Sequence, residues 1–277
     1  MTGQHSPNWY PVFFIEFLVI SIINVITIVA FARIRHLRKR STYLIINLTV
    51  VDLLVGAVTG PLFVHHKDEK NNGFTLARII LWAIEINFPI ASQVNLSLIS
   101  LERLHATLFP FRHCLITKWL YFKIIVGSWL IIFSIAVVMT ILSQDKFPFA
   151  WTSFNVLNLI VITVSYVIII VNVQSNPHAQ HRGSIHRERK LSLTLSIVTG
   201  VSILTILPWA VFSSMPIDLK RELFYASRVD ILDSVVVIYF VSSIVNPIVY
   251  AIRMQEFRKA IRNLVCKSTE PTRVNPF

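Results

Sequence analysis

The sequence predicts an all-α membrane protein, namely a seven-transmembrane helix bundle with a short amphipathic eighth helix. Three observations lead to this prediction. Hydrophobic residues make up 54% of the 277 positions and charged residues only 14%, whereas soluble domains carry about a quarter charged residues. The apolar residues fall into seven stretches, each near the length of about 20 residues that crosses a bilayer. The basic residues are concentrated in alternate connections between those stretches.

The seven stretches are joined by short polar connections, and we number them as spans one to seven. The third stretch is longer than a bilayer requires and carries Arg78 and Glu85, so we expect its outer turns to lie above the hydrocarbon. The predicted spans are Tyr10–Phe31, Tyr43–Val64, Phe74–Leu108, Leu120–Leu142, Trp151–Val173, Leu191–Phe212 and Ile231–Ile252.

The Lys and Arg residues predict the orientation of the chain. Nineteen of the 26 lie on one side of the predicted bundle, in the segments that follow the odd-numbered spans or in the span ends next to those segments. Cytoplasmic connections are enriched in basic residues, so we expect the N-terminus outside and the C-terminus in the cytoplasm. An odd number of spans agrees with that arrangement. The same distribution explains the net charge of +12 without nucleic acid as a partner.

The chain divides by composition into three parts. Residues 1–252 contain the seven spans, residues 253–266 are basic and amphipathic, and residues 267–277 form a short cytoplasmic tail. The middle part places apolar residues on one helical face and four basic residues opposite them, Arg253, Arg258, Lys259 and Arg262. This pattern predicts an interfacial helix that lies on the anionic inner leaflet of the lipid bilayer.

The two cysteines, Cys114 and Cys266, both fall on the predicted cytoplasmic side. Thiols stay reduced in that compartment, so we expect no extracellular disulfide. Cys266 lies at the end of the amphipathic helix, and a juxtamembrane cysteine is a candidate for palmitoylation. An unmodified thiol at Cys266 is equally consistent with the sequence.

Several polar residues lie inside the predicted spans, where they are costly and are therefore candidates for function. Asp52 lies in the middle of span two, and Ser92, Ser243 and Asn246 lie at comparable depth in spans three and seven. Their oxygen atoms could surround a small hard cation such as sodium, or ordered water. The alternative is that these groups only hydrogen-bond one another and hold the helices together.

The inner end of span three carries a second candidate pair, Glu102 and Arg103. Glu188 lies at the start of the predicted sixth span, on the same side of the membrane. A contact of Arg103 with both acids would hold two helix ends together, and its release would let them separate. The alternative is a solvated basic loop without a specific pair.

Single residues on successive spans add a further pattern. These residues are Asn24, Leu48 and Asp52, Glu102-Arg103-Leu104, Trp129, Tyr166, Pro208, Asn246 to Tyr250 with Pro247 among them, and Phe257-Arg258 after the last span. In their order and spacing the chain resembles the rhodopsin-like (class A) G-protein-coupled receptors over nearly its whole length.

The resemblance implies a multi-pass plasma-membrane receptor that transmits the binding of an extracellular ligand to a heterotrimeric G protein. It assigns Tyr166, Pro208, Pro247 and Tyr250, together with the Glu102–Arg103 pair, to activation and coupling. Such a receptor works by a shift between two packings. We therefore expect no enzyme activity, no cofactor, and no metal apart from sodium at Asp52.

Four positions depart from the family pattern. Leu104 replaces the Tyr after the Arg, and Ile206 stands where a Trp usually precedes Pro208 by two residues. Asn158 replaces the usual Pro of span five, and Arg78 replaces the extracellular Cys above span three. In the last two features the chain is similar to the melanocortin, lysolipid, cannabinoid and adenosine receptors.

Glu85 is the predicted contact for a ligand. It lies 18 residues before Arg103, about five helical turns outward, where amine receptors of this family carry an Asp for the ligand's ammonium. Pro89 lacks an N–H and leaves the carbonyl of Glu85 without its helical donor. Aromatic side chains that could line the same ligand site are Trp82, Phe88, Trp151, Trp209 and Phe240. The alternative is that Glu85 pairs with Arg78 or with a loop lysine.

Other functions remain open at this point. The same fold could bind a lipid, a peptide or a nucleoside in place of an amine. A retinal-binding light receptor would need a Lys in span seven, and Ile231–Ile252 contains none, with Phe240 at the expected place. A transporter or channel is the alternative from another class, but the repeats and paired broken helices of transporters are not visible in the sequence.

Overall fold

The computed structural model describes residues 9–33, 42–68, 76–141, 147–175, 200–201, 204–215, 231–253 and 257–258. Six helices in these ranges are long and apolar enough to cross a membrane. They are Tyr10–Arg33, the Tyr43–Lys67 stretch, Leu76–Leu108, Lys118–Ile141, Phe147–Ser175 and Ile231–Arg253, which form spans one to five and span seven. The apolar helix Leu204–Ser214 is the described part of span six.

The six long helices begin and end within four residues of the predicted spans. The largest shifts, of four residues, are at the end of span two, which reaches Asp68, and at the start of span five, which begins at Phe147 and not at Trp151. Pro148 occupies the second position of that helix, where a missing N–H costs nothing because the first turn has no helical acceptor. Pro110 starts a short helix, Pro110–Cys114, in the connection between spans three and four. The sequence analysis did not predict this short helix.

Span two is not one regular helix. An α-helix over Tyr43–Leu54 is followed by a π-helical turn over Val55–Thr59 and a second α-helix over Gly60–Asp68. A Cβ atom on Gly56 would overlap the Ser21 hydroxyl of span one. Small residues four apart let membrane helices approach closely, so Gly56 and Gly60 bring span two against span one.

Span three lies in the middle of the bundle and packs against spans two, four and five. Polar side chains join three of these helices. The Asn47 Nδ2 atom donates to Asn95 Oδ1 at 2.6 Å, and Trp129 Nε1 donates to Asn47 Oδ1 at 3.3 Å. Trp129, the span-four Trp of the predicted family pattern, therefore anchors span four to span two.

The outside of the bundle is apolar. Leu130 and Phe133 on span four and Leu157 on span five are more than half exposed. An apolar surface of this kind marks an interaction with another apolar phase. In a chain with six membrane-length helices, that phase is lipid.

Candidate functional site

The four polar residues predicted around the middle of the membrane lie together. Ser92 and Ser243 donate their hydroxyls to Asp52 Oδ1 at 2.8 and 2.9 Å, and Asn246 Nδ2 donates to Asp52 Oδ2 at 2.8 Å. All four side chains are buried. We call this group the Asp52 pocket; it joins spans two, three and seven.

Two prolines inside the spans each free a carbonyl four residues earlier, and a neighbouring helix satisfies it. Pro247 leaves the carbonyl of Ser243 without its helical donor, and Asn24 Nδ2 of span one donates to it at 3.2 Å. Pro89 does the same to the carbonyl of Glu85, which accepts from the Thr59 hydroxyl at 3.0 Å. The freed Glu85 carbonyl is thus used to join spans two and three.

A second buried polar group, the Gln93 triad, consists of Gln93, Asn155 and Tyr239. The Gln93 amide donates to Asn155 Oδ1 at 2.7 Å and to the Tyr239 hydroxyl at 2.9 Å. The three side chains are 1–8% exposed and come from spans three, five and seven. Gln93 Oε1 has no hydrogen-bond partner among the described residues.

The Gln93 triad was not among the predicted groups, although its residues are visible in the sequence. Gln93 is adjacent to Ser92, and Asn155 lies in an apolar span at similar depth. A second hydrogen bond joins spans three and five one turn further inward, where the Ser97 hydroxyl donates to Asn158 Oδ1 at 2.7 Å. Asn158 is the residue that replaces the usual Pro of span five, so this departure adds a contact to span three.

The outer ends of three spans are joined by a third group, the outer ionic contacts. His66 of span two contacts the carboxylate of Glu85 on span three. The next residue, Lys67, contacts the carboxylate of Asp233 on span seven and lies 4.9 Å from the ring centroid of Phe13. Among the described residues, the Glu85 carboxylate therefore contacts His66, and the loop lysines lie outside the described residues.

The predicted aromatic residues occupy separate places. Trp82 and Trp151 both pack against Phe147, with ring centroids 4.7 and 5.8 Å apart. Phe88 packs edge-on against Trp129 of span four at 6.4 Å.

The other two aromatics meet Tyr239 of the Gln93 triad. Trp209 lies 6.0 Å and Phe240 lies 5.2 Å from its ring. Across the described residues, the ring contacts thus divide the five aromatics among three places and do not gather them around Glu85.

At the inner end, Glu102 and Arg103 form an ion pair. The Tyr121 hydroxyl donates to Glu102 Oε1 at 2.9 Å, and His113 of the short loop helix lies 3.4 Å from the same atom. Arg103 is only 1% exposed.

Four further residues predicted to act in activation and coupling lie in the described part of the chain. Tyr166 and Tyr250 are buried in one apolar cluster at the inner half of the bundle. Pro208 lies inside the helix Leu204–Ser214, and Pro247 lies inside span seven. Two predicted residues, Glu188 and Cys266, lie outside the described residues.

Comparison with known proteins assigns the class. The model of the family described as "7 transmembrane receptor (rhodopsin family)" matches residues 23–149 and 148–250. The chain belongs to this family, and it is a rhodopsin-like G-protein-coupled receptor. The predictions of the fold and the receptor class are thereby confirmed, and the transporter alternative is not supported. The similarity to the melanocortin, lysolipid, cannabinoid and adenosine group stays a prediction.

Individual relatives are similar over different parts of the chain. The octopamine receptor beta-2R of Chilo suppressalis is 25% identical over 88% of this chain and 76% of its own length. Somatostatin receptor type 2 of Sus scrofa is 32% identical over 39% of this chain and 29% of its own length. The histamine H4 receptor of Mus musculus is 37% identical over 29% of this chain and 20% of its own length.

Proposed function

We propose that this receptor responds to a cationic amine from outside the cell and that Glu85 is the ligand's counter-charge. The observation that carries the proposal is the state of Glu85, a mostly buried carboxylate on span three whose described side-chain partner is an imidazole. Two of the similar proteins are named for amines, octopamine and histamine. The receptor would lie in the plasma membrane with its N-terminus outside.

An ammonium group can compete for this carboxylate. An aliphatic ammonium carries a full positive charge and three N–H donors, whereas His66 contacts the carboxylate through a single ring nitrogen, Nδ1. The Thr59 contact to the Glu85 carbonyl holds this turn of span three in place. The backbone that carries Glu85 is therefore fixed, while the partner of its carboxylate can be exchanged.

Exchange at Glu85 gives the receptor a way to transmit binding. When an amine binds the Glu85 carboxylate, it displaces His66. The contact between the outer ends of spans two and three is then lost. Span three also carries Ser92, Gln93 and Arg103 deeper in the membrane. A shift of this one helix would reach the Asp52 pocket, the Gln93 triad and the G-protein side, as expected of a change between two packings.

The test uses octopamine and histamine as probes on cells that express the receptor, with cyclic AMP and calcium as readouts. Breaking a desolvated ion pair from one side costs about 3–5 kcal/mol, so Glu85→Gln should lower the potency of an active amine at least a hundredfold. Asp233→Asn is the matched control, because it neutralises another outer carboxylate, the one that contacts Lys67. Equal potency on the wild type and Glu85→Gln, at equal surface expression, would contradict the proposal.

A peptide ligand is the second candidate, because the somatostatin receptor matches a segment of the chain at 32% identity. A peptide contacts a larger outer surface and depends less on one carboxylate. Activation by somatostatin, with Glu85→Gln unaffected, would favour this candidate. Inactivity of both amines and somatostatin would direct the search to lipid or nucleoside ligands.

We further propose that the Asp52 pocket binds sodium. Its donors fit a hard cation, which prefers oxygen ligands: the Asp52 carboxylate and the hydroxyls of Ser92 and Ser243. Asn246 Oδ1 is also buried and has no partner among the described residues. Added sodium chloride should lower agonist potency, whereas equimolar choline chloride should not. An unaltered salt response in Asp52→Asn would contradict the sodium site.

A further inference from the structure

We infer that the Gln93 triad forms the inner end of the ligand site and binds a hydroxyl group of the ligand between Gln93 and Tyr239. The inference rests on the proposed function for the other end of that ligand, its ammonium at Glu85. The hydroxyl site itself rests on three observations: two hydrogen-bonding groups that are left over in the triad, a small cavity beside them, and the side chain that leaves this cavity open.

The triad leaves one acceptor and one donor without a partner. Asn155 Nδ2 donates to the Trp151 carbonyl at 2.7 Å, so Asn155 Oδ1 is the acceptor that faces Gln93. The NH2 group of Gln93 is therefore directed toward Asn155 and Tyr239, and Gln93 Oε1 stays buried without a donor in the described part of the chain. The Tyr239 hydroxyl accepts from this NH2 group, and no described residue accepts its own proton.

The two leftover groups select the chemistry of the ligand group between them. The amide nitrogen of Gln93 is 2.9 Å from the Tyr239 hydroxyl, and Oε1 belongs to the same amide, so a single ligand oxygen can reach both groups. A hydroxyl has one O–H donor and two lone pairs, which lets it donate to Gln93 Oε1 and accept from Tyr239. An ammonium only donates and a carboxylate only accepts, so each satisfies one of the two groups. The helix contacts of the triad stay intact when the hydroxyl binds.

A small cavity lies beside these two groups. Gln93 and Tyr239 line a space of about 10 Å³, which is the room that one water molecule or one hydroxyl needs. The serines of the wall, Ser92, Ser242 and Ser243, already donate to other protein groups. Small-molecule sites are mostly apolar with a few placed polar groups. The apolar side chains of this wall are Val55, Pro89, Leu96, Ile206 and Phe240.

Ile206 leaves the cavity open. It is buried in the wall at the position where receptors of this family usually carry a Trp, whose indole is larger and would occupy the space. The cavity also lies on the path inward from Glu85. Gln93 follows Glu85 by about two turns of span three, about 12 Å along the helix axis, and Pro89 between them lines the cavity. A ligand that extends inward from Glu85 along span three places its far end at Gln93.

The first experiment uses probes without an ammonium, so its result does not depend on Glu85. Thermal unfolding of the purified full-length receptor in lipid nanodiscs is measured with p-cresol and with toluene, which differs from p-cresol only by lacking the hydroxyl. At about ten times its Kd, p-cresol should raise the melting temperature of the wild type about 2–4 °C more than toluene does.

Three variants locate the source of this difference. Tyr239→Phe removes the hydroxyl and keeps the ring, whereas Ile206→Trp fills the cavity and removes no hydrogen bond; both should lose the difference. Thr152→Val is the matched control and should retain it, because the Thr152 hydroxyl donates to Ser213 at 2.9 Å outside the cavity. No difference in the wild type, or an unchanged difference in Tyr239→Phe or Ile206→Trp, would overturn the inference and leave a site for water only.

The second experiment separates the hydroxyl site from the proposed function. Tyramine and phenethylamine both carry an ammonium and differ by the same phenolic hydroxyl. On cells that express the receptor, tyramine should be about 10- to 100-fold more potent. This ratio should fall toward one in Tyr239→Phe and in Ile206→Trp, and stay unchanged in Thr152→Val.

The two proposals then fail in different ways. A response to neither amine would contradict the amine proposal, and the p-cresol result would still decide the hydroxyl site. Equal potency of tyramine and phenethylamine on the wild type would overturn the hydroxyl site and leave Glu85 as the ligand's counter-charge. Should Tyr239→Phe fail to reach the cell surface, Ile206→Trp tests the same cavity without removing a hydrogen bond.

Discussion

The outer ionic contacts and the two buried polar groups hold the bundle in different ways. At the outer end, charged side chains with 12–28% exposure each contact one ionic partner among the described residues. In the centre, Asp52 has three donors, and the Gln93 amide has two acceptors, all of them nearly or fully buried.

The difference lies in the cost of exchanging a partner. With no ligand bound, water or another ion can replace either partner of an outer ion pair, so such a pair contributes only about 0–1 kcal/mol. The larger cost at Glu85 applies once a bound ligand excludes water from the carboxylate. In the centre, a donor or acceptor that loses its partner stays unsatisfied at a cost of about 1–3 kcal/mol. The outer contacts are therefore suited to exchange with a ligand, and the central groups are suited to fixing the packing of spans two, three, five and seven.

The largest effect is expected at the Asp52 pocket. Asp52→Ala removes the acceptor of Ser92, Ser243 and Asn246, and hydrogen bonds to a charged group contribute about 1.5–3 kcal/mol each. We expect little receptor at the cell surface. Asp52→Asn keeps one acceptor oxygen and should recover much of the surface signal. Normal surface staining of Asp52→Ala would show that the pocket does not hold the fold.

The Gln93 triad should give the next largest effect. Gln93→Leu removes two hydrogen bonds and leaves Asn155 Oδ1 without this donor, at a cost of about 1–3 kcal/mol. Ser134→Ala is the matched control, since Ser134 is exposed and donates only to the Leu130 carbonyl of its own helix. The melting temperature should fall clearly in Gln93→Leu and stay nearly unchanged in Ser134→Ala. Equal values for the two variants would contradict the assigned role of the triad.

Glycine-to-alanine changes test where the close packing of span two is located. Gly56→Ala would place its methyl group against Ser21 and the Phe17 carbonyl, and overpacking costs about 1–3 kcal/mol. Gly127→Ala meets nothing within 4 Å and gains up to about 1 kcal/mol of helix propensity. The two changes should therefore shift the melting temperature in opposite directions. A fall of similar size in both would show that the glycines act through the backbone alone.

The site residues in the centre of the bundle were easier to predict from the sequence than those at the outer end. Asp52, Ser92, Ser243 and Asn246 stand out because polar residues are rare in lipid and each lies at the same depth. His66 and Asp233 lie at the ends of spans, where charged residues are ordinary, so nothing in the pattern distinguishes them from loop charges.

Other features depend on details that periodicity does not carry. The π-helical turn at Val55–Thr59 changes the direction of the side chains that follow it. No residue pattern in the sequence predicts this turn. The contact between Gln93 and Asn155 depends on how spans three and five are rotated relative to each other. The role of Thr59 depends on both, because it must face the carbonyl freed by Pro89.

The most direct test of the comparison is thermal unfolding of two purified variants in lipid nanodiscs. The double variant His66→Gln, Lys67→Gln removes both outer contacts, and Gln93→Leu disrupts one central group. We predict that the double variant melts within about 4 °C of the wild type, and that Gln93→Leu melts lower than the double variant. A double variant that melts below Gln93→Leu would contradict the claim that the centre fixes the bundle while the outer contacts are exchangeable.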